Sequence, residues 1–263
     1  MSSPAARVAC VIAAKDEEQR IGATVEAAAR VRHVDVVIVC DDGSSDETAQ
    51  RAAAAGAVVV SHSRNRGKAA ALDSGVNALG ILEQRDRLPE ARTLLLLDAD
   101  LAESAANAGP LVDAVVTGGA DLAIGVLPAQ RTPTGADAGG LGLVMTTAAR
   151  GIEELSGFTA RAPLSGQRCL TRRAFELASP LATGFGVEVG MTIDIVRAGF
   201  TVKEVEVDLH HRATGNDLAG QFHRAKQLRD VTRALTARGL VQASLKELKD
   251  TGGVPGLLKR FKR

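Results

Sequence analysis

The sequence has neither tryptophan nor tyrosine, and only six phenylalanines among its 263 residues. It therefore lacks the aromatic platforms on which proteins that bind single-stranded nucleic acid stack the bases. Its charges are nearly balanced, with 32 lysines and arginines against 31 aspartates and glutamates, so no overall field would attract a polyanion. Nucleic acid is therefore not an expected partner.

Cysteine is also scarce. Cys10, Cys40 and Cys169 are far apart in the chain and form no Cys-x-x-Cys pair, which argues against structural zinc and against a disulfide framework. The first residues show no signal-peptide pattern, and no apolar run is long enough to cross a bilayer. These absences predict a soluble protein of the reducing cytoplasm.

What the first half does contain is a regular alternation of strand and helix patterns. They predict strands over residues 7–14, 34–40, 57–61, 93–97 and 121–127, and helices over 17–29, 46–55, 68–83 and 104–117. Such alternation indicates βαβ units and a parallel sheet. Ser44 and Glu47 have the spacing of a capping box at the second helix. No Gly-x-Gly-x-x-Gly follows the first strand and no Walker A motif occurs, which disfavours ordinary dinucleotide-binding and P-loop folds.

The second half is less regular. Residues 128–142 are rich in Gly, Pro and Thr, as long functional loops often are. Beyond them, the patterns predict helices over 143–155, 187–198, 217–236 and 240–248, and strands over 163–170 and 202–209, the last of edge type. Residues 252–263 mix leucines with Lys and Arg, which is typical either of an interfacial segment or of a solvated terminus.

The most informative motif is Asp98-Ala99-Asp100, which follows the leucine run at 94–97. Four leucines in a row indicate a strand buried on both faces, and open α/β sheets bind ligands beyond the carboxyl ends of such strands. Residues i and i+2 of an extended chain point the same way, so both carboxylates can reach one hard cation. The motif thus indicates a divalent-metal site for a phosphate-bearing substrate. The alternative is two acids that cap a strand and start a helix.

Two further clusters suit a nucleotide. Asp41 and Asp42 end the second predicted strand, where acidic side chains can accept hydrogen bonds from a base or a ribose. Residues 64–68, Arg-Asn-Arg-Gly-Lys, combine cations, exposed amides and a helix N-terminus, which suits a diphosphate. The alternatives are a turn with a helix cap for the first cluster and a solvated basic turn for the second.

Two groups later in the chain could complete such a site. His210 and His211 follow the last predicted strand, and a neutral imidazole there could join Asp98 and Asp100 in binding a metal ion. Histidines with no role in binding are the alternative. Glu188 follows a Gly-rich turn at a helix start, where its carboxylate could bind sugar hydroxyls or act as a base. Stabilisation of the helix dipole would equally account for it.

The order of these segments resembles that of GT-A glycosyltransferases, in particular the dolichyl-phosphate-mannose-synthase-like family and its branch that contains glucosyl-3-phosphoglycerate synthase. The matching segments are VIAAKDEEQRI, VIVCDDGSSDETA, RNRGKAAAL, LLLLDADLA, PLSGQRCLTRRAFE, GFGVEVGMTIDIV and the His-Arg of LHHRATG. The resemblance implies an α/β/α sandwich with a mixed, mostly parallel, Rossmann-like sheet and C-terminal helices. Residues 1–215 would form the GT-A domain, divided near residue 127 into a nucleotide-sugar half and an acceptor half, and residues 216–263 a helical extension with a basic tail.

The resemblance also implies roles for particular residues. Transfer of a hexose from a nucleotide sugar, UDP-glucose or a related UDP-sugar, is the implied reaction, with Mg²⁺ or Mn²⁺ stabilising charge on the leaving nucleotide. Asp98, Asp100 and His211 would bind the metal ion. Glu188 would lie near the donor sugar, and Asp137 is a second candidate there because it lies in the flexible loop. The nucleotide-sugar contacts would be Ala13, Lys15, Glu17, Asp42 (at the uracil-recognition position), Lys68 (at the diphosphate-binding position) and Ala99.

The chain departs from that branch at several positions. Ala13 stands where the first strand usually has proline. Members that use phosphoglycerate carry Arg and Thr soon after the double glycine of the loop and Asn two residues past the metal-binding His, whereas Leu141, Leu143 and Ala213 occupy these regions here. Without those groups an anionic acceptor loses its cation and hydrogen bonds. A less polar small molecule or a lipid-like acceptor is therefore favoured, with glucosyl-3-phosphoglycerate synthase proper as the alternative.

Other functions stay open as hypotheses. A nucleotidyltransferase also pairs an α/β sheet with metal-binding acids, but its glycine-rich loop after the first strand is missing. A non-catalytic nucleotide-sugar-binding protein would have no need for Asp98, Asp100, Lys68 and His211 together. Weak association of the basic tail with the inner face of the membrane and formation of a homodimer are further hypotheses about partners.

Overall fold

A computed structural model of the protein describes residues 6–128, 139–211 and 218–240. Within these ranges seven strands form one sheet in the order β3-β2-β1-β4-β6-β5-β7. The strands are β1 (Val8–Ala14), β2 (Val34–Asp41), β3 (Val58–Ser61), β4 (Thr93–Asp98), β5 (Leu122–Val126), β6 (Arg168–Leu170) and β7 (Val202–Glu206). Only β6 is antiparallel to its neighbours β4 and β5. The predicted mixed, mostly parallel sheet is confirmed, and β7 lies at its edge as expected.

Eight α-helices lie within the described ranges: α1 (Ile21–Ala28), α2 (Thr48–Ala54), α3 (Lys68–Arg85), α4 (Gly109–Val116), α5 (Gly139–Ser156), α6 (Arg172–Ala178), α7 (Val187–Arg197) and α8 (Leu218–Ala237). Short 3₁₀ segments, Ala102–Ala108 and Gly184–Gly186, lead into α4 and α7. In the part of the chain that the structure describes, no helix has the length and apolar character needed to span a membrane.

The leucine run of β4 shows how the helices cover the sheet. Leu95 and Leu97 belong to a core shared with α1, α2 and α4, whereas Leu94 and Leu96 belong to a second core shared with α3, α6 and α7. A strand buried on both faces therefore accounts for the uninterrupted apolar sequence. A third core joins α5, α7 and α8 beside the sheet. The α/β/α sandwich with a C-terminal helix is confirmed.

Several helix starts differ from the predictions. α1 begins at Ile21 rather than at 17, because the chain first makes a turn in which Asp16 has φ 53°. The predicted helix over 104–117 is a 3₁₀ segment followed by α4, which starts beside Pro110 because proline lacks an amide hydrogen and favours the first turn of a helix.

The predicted capping box is wrong. The Ser44 hydroxyl accepts the N–H of Asp16 at 2.9 Å, and the N–H of Glu47 donates to Glu18 at 3.1 Å. Both groups are therefore bonded to the loop after β1 and not to each other. The N-cap residue, Glu47, makes no side-chain cap bond, and the N–H of Thr48, the first residue of α2, donates to the carboxylate of Asp46 at 3.0 Å.

In the second half, β6 is shorter than predicted, because residues 163–167 make a turn in which the N–H of Ser165 donates to the carbonyl of Ala162. β7 ends at Glu206 instead of 209. The sequence patterns missed α6, although Thr171 caps it by accepting the N–H of Ala174 at 3.2 Å. The expected helix over 240–248, the basic tail, Asp137 and most of the Gly-rich loop lie outside the described residues.

Candidate active site at the carboxyl edge of the sheet

The site lies where β1, β2 and β4 end side by side. Ala13 near the end of β1 pairs in register with Cys40 on β2 and with Asp98 on β4. β2 and β3 continue the sheet on one side of β1, and β4 lies on the other, so the strand order reverses here. Open α/β sheets bind ligands outside the carboxyl ends of the strands at such a switch point. The fold therefore brings the predicted residues of the three strand ends together.

An ion-pair cluster of Lys68, Asp98 and Glu188 occupies this position. The Lys68 ammonium lies 2.7 Å from Asp98 Oδ1 and 2.8 Å from Glu188 Oε1. Lys68 is the first residue of α3, Asp98 the last of β4, and Glu188 is in the first turn of α7. Although burial alone would lower the pKa of Lys68, the two carboxylates raise it above its ordinary value. A single cation thus holds acids from the two halves of the sequence.

Gln167 and Gly166 fit closely around Asp98. The amide of Gln167, which is fully buried, donates to Asp98 Oδ2 at 2.6 Å, and its oxygen accepts the N–H of Asp98 at 3.1 Å. A Cβ on Gly166 would lie 2.6 Å from Lys68 Nζ and 2.8 Å from both Asp98 oxygens. Only glycine therefore leaves room for the ion pair in its present position.

His211 joins the two acids of the Asp98-Ala99-Asp100 motif. Its Nδ1 lies 3.1 Å from Asp100 Oδ1, and its Nε2 lies 3.9 Å from Asp98 Oδ2 and 3.4 Å from the Gln167 amide. The hydrogen bond with Asp100 raises the pKa of His211. Burial would raise the pKa of Asp98, but Lys68, His211 and Gln167 lower it.

The donor chemistry of this trio suits a hard divalent cation, since it offers two carboxylates and an imidazole. Within the described ranges, however, no group of three or more His, Cys, Asp or Glu side chains is arranged to hold a metal ion as it stands. The reason is visible in the contacts, because Asp98 is bonded to Lys68 and Gln167, and His211 to Asp100. His210 instead pairs with Asp208 at 3.0 Å.

A second group of side chains, the loop-anchoring cluster, consists of Asp42 and His62, which follow β2 and β3, and Ser74 on α3. Asp42 Oδ1 accepts His62 Nδ1–H at 2.7 Å and the N–H of Arg66 at 2.8 Å, and Oδ2 accepts the N–H of Gly67 at 2.7 Å. Burial would raise the pKa of Asp42, but these donors lower it. The sequence predicted exposed amides in this basic loop. The amides of Arg66 and Gly67 are instead bonded to Asp42.

The loops after β1 and β2 are bonded to each other. Lys15 Nζ donates to the carbonyl of Gly43 at 3.0 Å and pairs with Asp16, and the N–H of Glu17 donates to the Thr48 hydroxyl at 2.8 Å. Gly43 has φ +70°, and a Cβ there would lie 2.6 Å from the main chain of Arg64. The predicted contacts Lys15 and Glu17 are thus fixed against the residues that follow Asp42.

The main chain at Ala99, in the middle of the Asp98-Ala99-Asp100 turn, is held by a hydrogen bond to α1. Its side chain is buried, and its carbonyl accepts the Thr24 hydroxyl at 2.9 Å. The same hydroxyl accepts the N–H of Ala102 at 2.8 Å. Thr24 on α1 therefore fixes the path of the chain after β4.

Sequence reasoning missed three buried residues of the site: His62, Gln167 and Arg168. The Arg168 guanidinium is 1% exposed and donates to the Ser165 carbonyl at 2.8 Å and to the Thr192 hydroxyl at 3.0 Å. Among the residues that the structure describes, its Nη2 has no hydrogen-bond partner. Burial lowers its pKa to about 10. A charged residue inside a predicted strand was the signal available for Arg168.

Comparison with known proteins agrees with this architecture. Crystal structures of glucosyl-3-phosphoglycerate synthase from Mycobacterium tuberculosis share the fold. The complex with Mn²⁺, UDP-glucose and phosphoglyceric acid has a TM-score of 0.66 and 25% identity, covering 89% of this chain and 80% of that one. The complex with Mg²⁺ and UDP has a TM-score of 0.64 and 25% identity, covering 89% and 79%. The fold is therefore the GT-A fold.

Sequence comparison assigns the family. Residues 9–155, more than half of the chain, match the model of glycosyl transferase family 2. The chain belongs to this family. Glucosyl-3-phosphoglycerate synthase of Mycolicibacterium smegmatis is 34% identical over 200 residues, which cover 71% of this chain and 63% of that protein. The match thus spans less than two thirds of the relative's length.

Proposed function

We propose that the protein transfers a hexose from a UDP-linked sugar, UDP-glucose or a close relative, with Mg²⁺ or Mn²⁺ as cofactor. The observation that carries the proposal is the ion-pair cluster, in which one lysine joins acids from β4 and α7 at the switch point. A sheet edge of this kind suits a nucleotide diphosphate. The M. tuberculosis relative that shares the fold binds UDP-glucose with Mn²⁺, and UDP with Mg²⁺.

Asp98, Asp100 and His211 would hold the metal ion. Their oxygen and imidazole donors suit Mg²⁺ or Mn²⁺, and the three side chains already approach one another. When bound, such an ion supplies Lewis-acid stabilisation of the negative charge on the departing diphosphate. Only a neutral His211 could bind the ion, because a metal-binding nitrogen needs a free electron pair. Asp98 and His211 would also have to release their present hydrogen bonds, to Lys68 and to Asp100 respectively.

Lys68 would neutralise the diphosphate. Its ammonium has three donors, and two of them are directed at Asp98 and Glu188. Phosphate oxygens would compete for these donors, and Asp98 would no longer depend on the lysine for charge compensation if it held the cation. Lys68 would then turn towards the diphosphate, which leaves the buried Glu188 carboxylate free to accept hydrogen bonds from the donor sugar or to act as a base.

The nucleotide would lie beside the loops after β1 and β2. Its proposed contacts near β1 are Ala13, Lys15 and Glu17. Ala99, in the middle of the Asp98-Ala99-Asp100 motif, is a further proposed contact, and Asp42 is the proposed contact to uracil. Asp42 accepts three hydrogen bonds from the protein, and a carboxylate offers about four acceptor positions. One position is therefore left for the base.

The acceptor is proposed to be a small molecule that is less polar than phosphoglycerate. Leu143, in the first turns of α5, is 57% exposed, and Leu141 precedes it in the same helix. Exposed leucine suits an apolar or lipid-like group. The relatives' acceptor, phosphoglyceric acid, is the alternative. Asp137 stays a proposed residue of this region, and the membrane and homodimer hypotheses stay predictions.

Calorimetry with UDP and with GDP, each with and without Mn²⁺, tests the donor. Tight binding of UDP only in the presence of Mn²⁺ is the expected result. Release of UDP from a panel of UDP-sugars would then identify the sugar. Competition between phosphoglycerate and lipid-like alcohols would identify the acceptor. Absence of metal-dependent binding of either nucleotide would refute the proposal, and binding without turnover of any sugar would favour a non-catalytic binding protein.

A further inference from the structure

His62 has no part in the proposed chemistry, yet both of its ring nitrogens have a partner inside the protein. Nδ1 lies 2.7 Å from Asp42 Oδ1 and Nε2 lies 2.9 Å from the Ser74 hydroxyl. The side chains of His62 and Asp42 are each 6% exposed. The main chain is fixed as well, because the N–H of His62 donates to the carbonyl of Asp41 at 2.9 Å. A buried imidazole bonded on both sides is held in one orientation.

These bonds form a closed connection between a strand end and a helix. Asp42, held by His62, accepts the N–H groups of Arg66 and Gly67, the two residues directly before α3. Ser74 lies on α3 itself, less than two turns after its start. The first residue of that helix is Lys68. The end of β2, the end of β3 and the start of α3 are thus tied together around one carboxylate.

This arrangement changes what the loop can offer an anion. The two amides that the sequence predicted to be exposed are bonded to Asp42, whose negative charge also suits the N-terminus of a helix. The contribution of this segment to a diphosphate therefore depends on where the Lys68 side chain starts. That position is set by the main chain that Asp42 holds.

We infer that His62 and Ser74 are positioning residues for diphosphate recognition, which act through Asp42 and the amides of Arg66 and Gly67 to place Lys68. The inference deepens the proposed function, on which it rests for the identity of the ligand. The main-chain anchoring itself does not depend on that function.

The first test compares UMP with UDP, because only UDP carries the diphosphate. In calorimetry with Mn²⁺, His62→Asn should weaken UDP about 10-fold and UMP only about 3-fold, because UMP loses only support for the base contact of Asp42, whereas UDP also loses the placement of Lys68. His33→Asn, the same substitution directly before the amino end of β2 and so far from the site, should change neither affinity. Equal losses for UMP and UDP, or no loss for UDP, would overturn the inference.

A milder variant covers the case in which His62→Asn folds poorly. Ser74→Ala removes only the hydroxyl that fixes Nε2, and should weaken UDP about 3-fold, again more than UMP. Combined with Lys68→Ala, it should add almost nothing to the loss caused by Lys68→Ala alone, because residues that act through one group are not additive. Full additivity would show that Ser74 acts by another route.

A third measurement requires no ligand and separates the two proposals. Hydrogen exchange of the amides of Arg66 and Gly67 should be about 10-fold faster in His62→Asn than in the His33→Asn control, since those amides lose a fixed acceptor. Unchanged exchange would overturn the inference even if UDP binds. If exchange is faster but the protein binds no uridine nucleotide, the proposed function is refuted, whereas the anchoring of the Arg66 and Gly67 amides by His62 and Asp42 is supported.

Discussion

Two groups of carboxylates lie at the same edge of the sheet and are held in different ways. In the loop-anchoring cluster, Asp42 is 6% exposed and is bonded to two main-chain amides and an imidazole. In the ion-pair cluster, Asp98 is 27% exposed and is bonded to a lysine that is 30% exposed. Main-chain donors cannot move without unfolding the loop, whereas a lysine can rotate towards another anion. One carboxylate is thus placed to support structure and the other to exchange partners.

The contrast predicts that the two clusters respond to different measurements. Substitutions in the ion-pair cluster should change metal binding and turnover more than stability. Substitutions in the loop-anchoring cluster should change stability, and should change ligand binding through the base contact of Asp42 and the position of Lys68.

The largest effect is expected for Lys68→Met. Removal of the cation that would face the diphosphate should lower kcat/KM for UDP-glucose about 10²- to 10³-fold, as loss of a donor at developing negative charge does elsewhere. Steady-state release of UDP measures it. Lys203→Met is the matched control, because Lys203 is exposed and its ammonium donates to the Gly118 carbonyl, away from the ion-pair cluster. Wild-type turnover in Lys68→Met would remove this residue from the proposed chemistry.

Gln167→Ala should have the next largest effect. The variant removes both hydrogen bonds that orient Asp98. Loss of such an outer partner commonly lowers metal affinity about 10- to 100-fold. A Mn²⁺ titration of UDP binding tests this, with Gln84→Ala on the exposed side of α3 as control. An unchanged Mn²⁺ midpoint would mean that Gln167 only packs against the strand.

Gly166→Ala should have a smaller effect, because the Lys68 ammonium that it would displace is the end of a flexible side chain. The added methyl group would lie within 2.8 Å of both Asp98 oxygens and Lys68 Nζ, so the ion pair must shift. We expect UDP affinity to fall about 3- to 10-fold, as for other charge-assisted contacts that are lengthened and not removed. Calorimetry with Mn²⁺ measures the change.

Gly80→Ala is the control for that substitution. No atom of the described residues outside α3's own main chain lies within 4 Å of a Cβ at Gly80, and its φ is not positive, so alanine should leave binding unchanged and raise the stability of α3 by about 0.4–1 kcal/mol. If both variants bound UDP equally well, the close approach at Gly166 would have no role in the site.

The contrast between the clusters also shows which parts of the site the sequence could predict. The sequence could place Asp42 and Asp98 at one edge of the sheet because parallel strands end there together, a rule that depends only on strand order. His62 and Gln167 could not be found in this way. Each is a single polar residue whose partner lies far away in the chain, and only tertiary packing makes that pairing. The capping box failed for the same reason, since the loop after β1 took both of its groups.

The smallest effect concerns pH and separates a carboxylate that the fold stabilises from one that it only buries. The folded pKa of Asp42 lies below its ordinary value of 3.8, mainly because hydrogen bonds from His62, Arg66 and Gly67 outweigh burial. Its contribution to stability is therefore present above pH 3.8 and is lost as the pH falls through the folded pKa. Asp42→Asn should cost about 1 kcal/mol at neutral pH, and less below pH 3.8.

Asp73, the residue before Ser74, supplies the opposite case. Burial raises its folded pKa above 3.8, so the ionised form is disfavoured in the folded protein. Any stability that this shift gives is present below pH 3.8 and is lost as the pH rises through the folded pKa. Asp73→Asn should therefore stabilise the protein at neutral pH, with a gain that vanishes in acid. Urea unfolding of both variants across this range compares the signs, and the same sign for both would show that hydrogen bonding does not distinguish Asp42 from the partly buried Asp73.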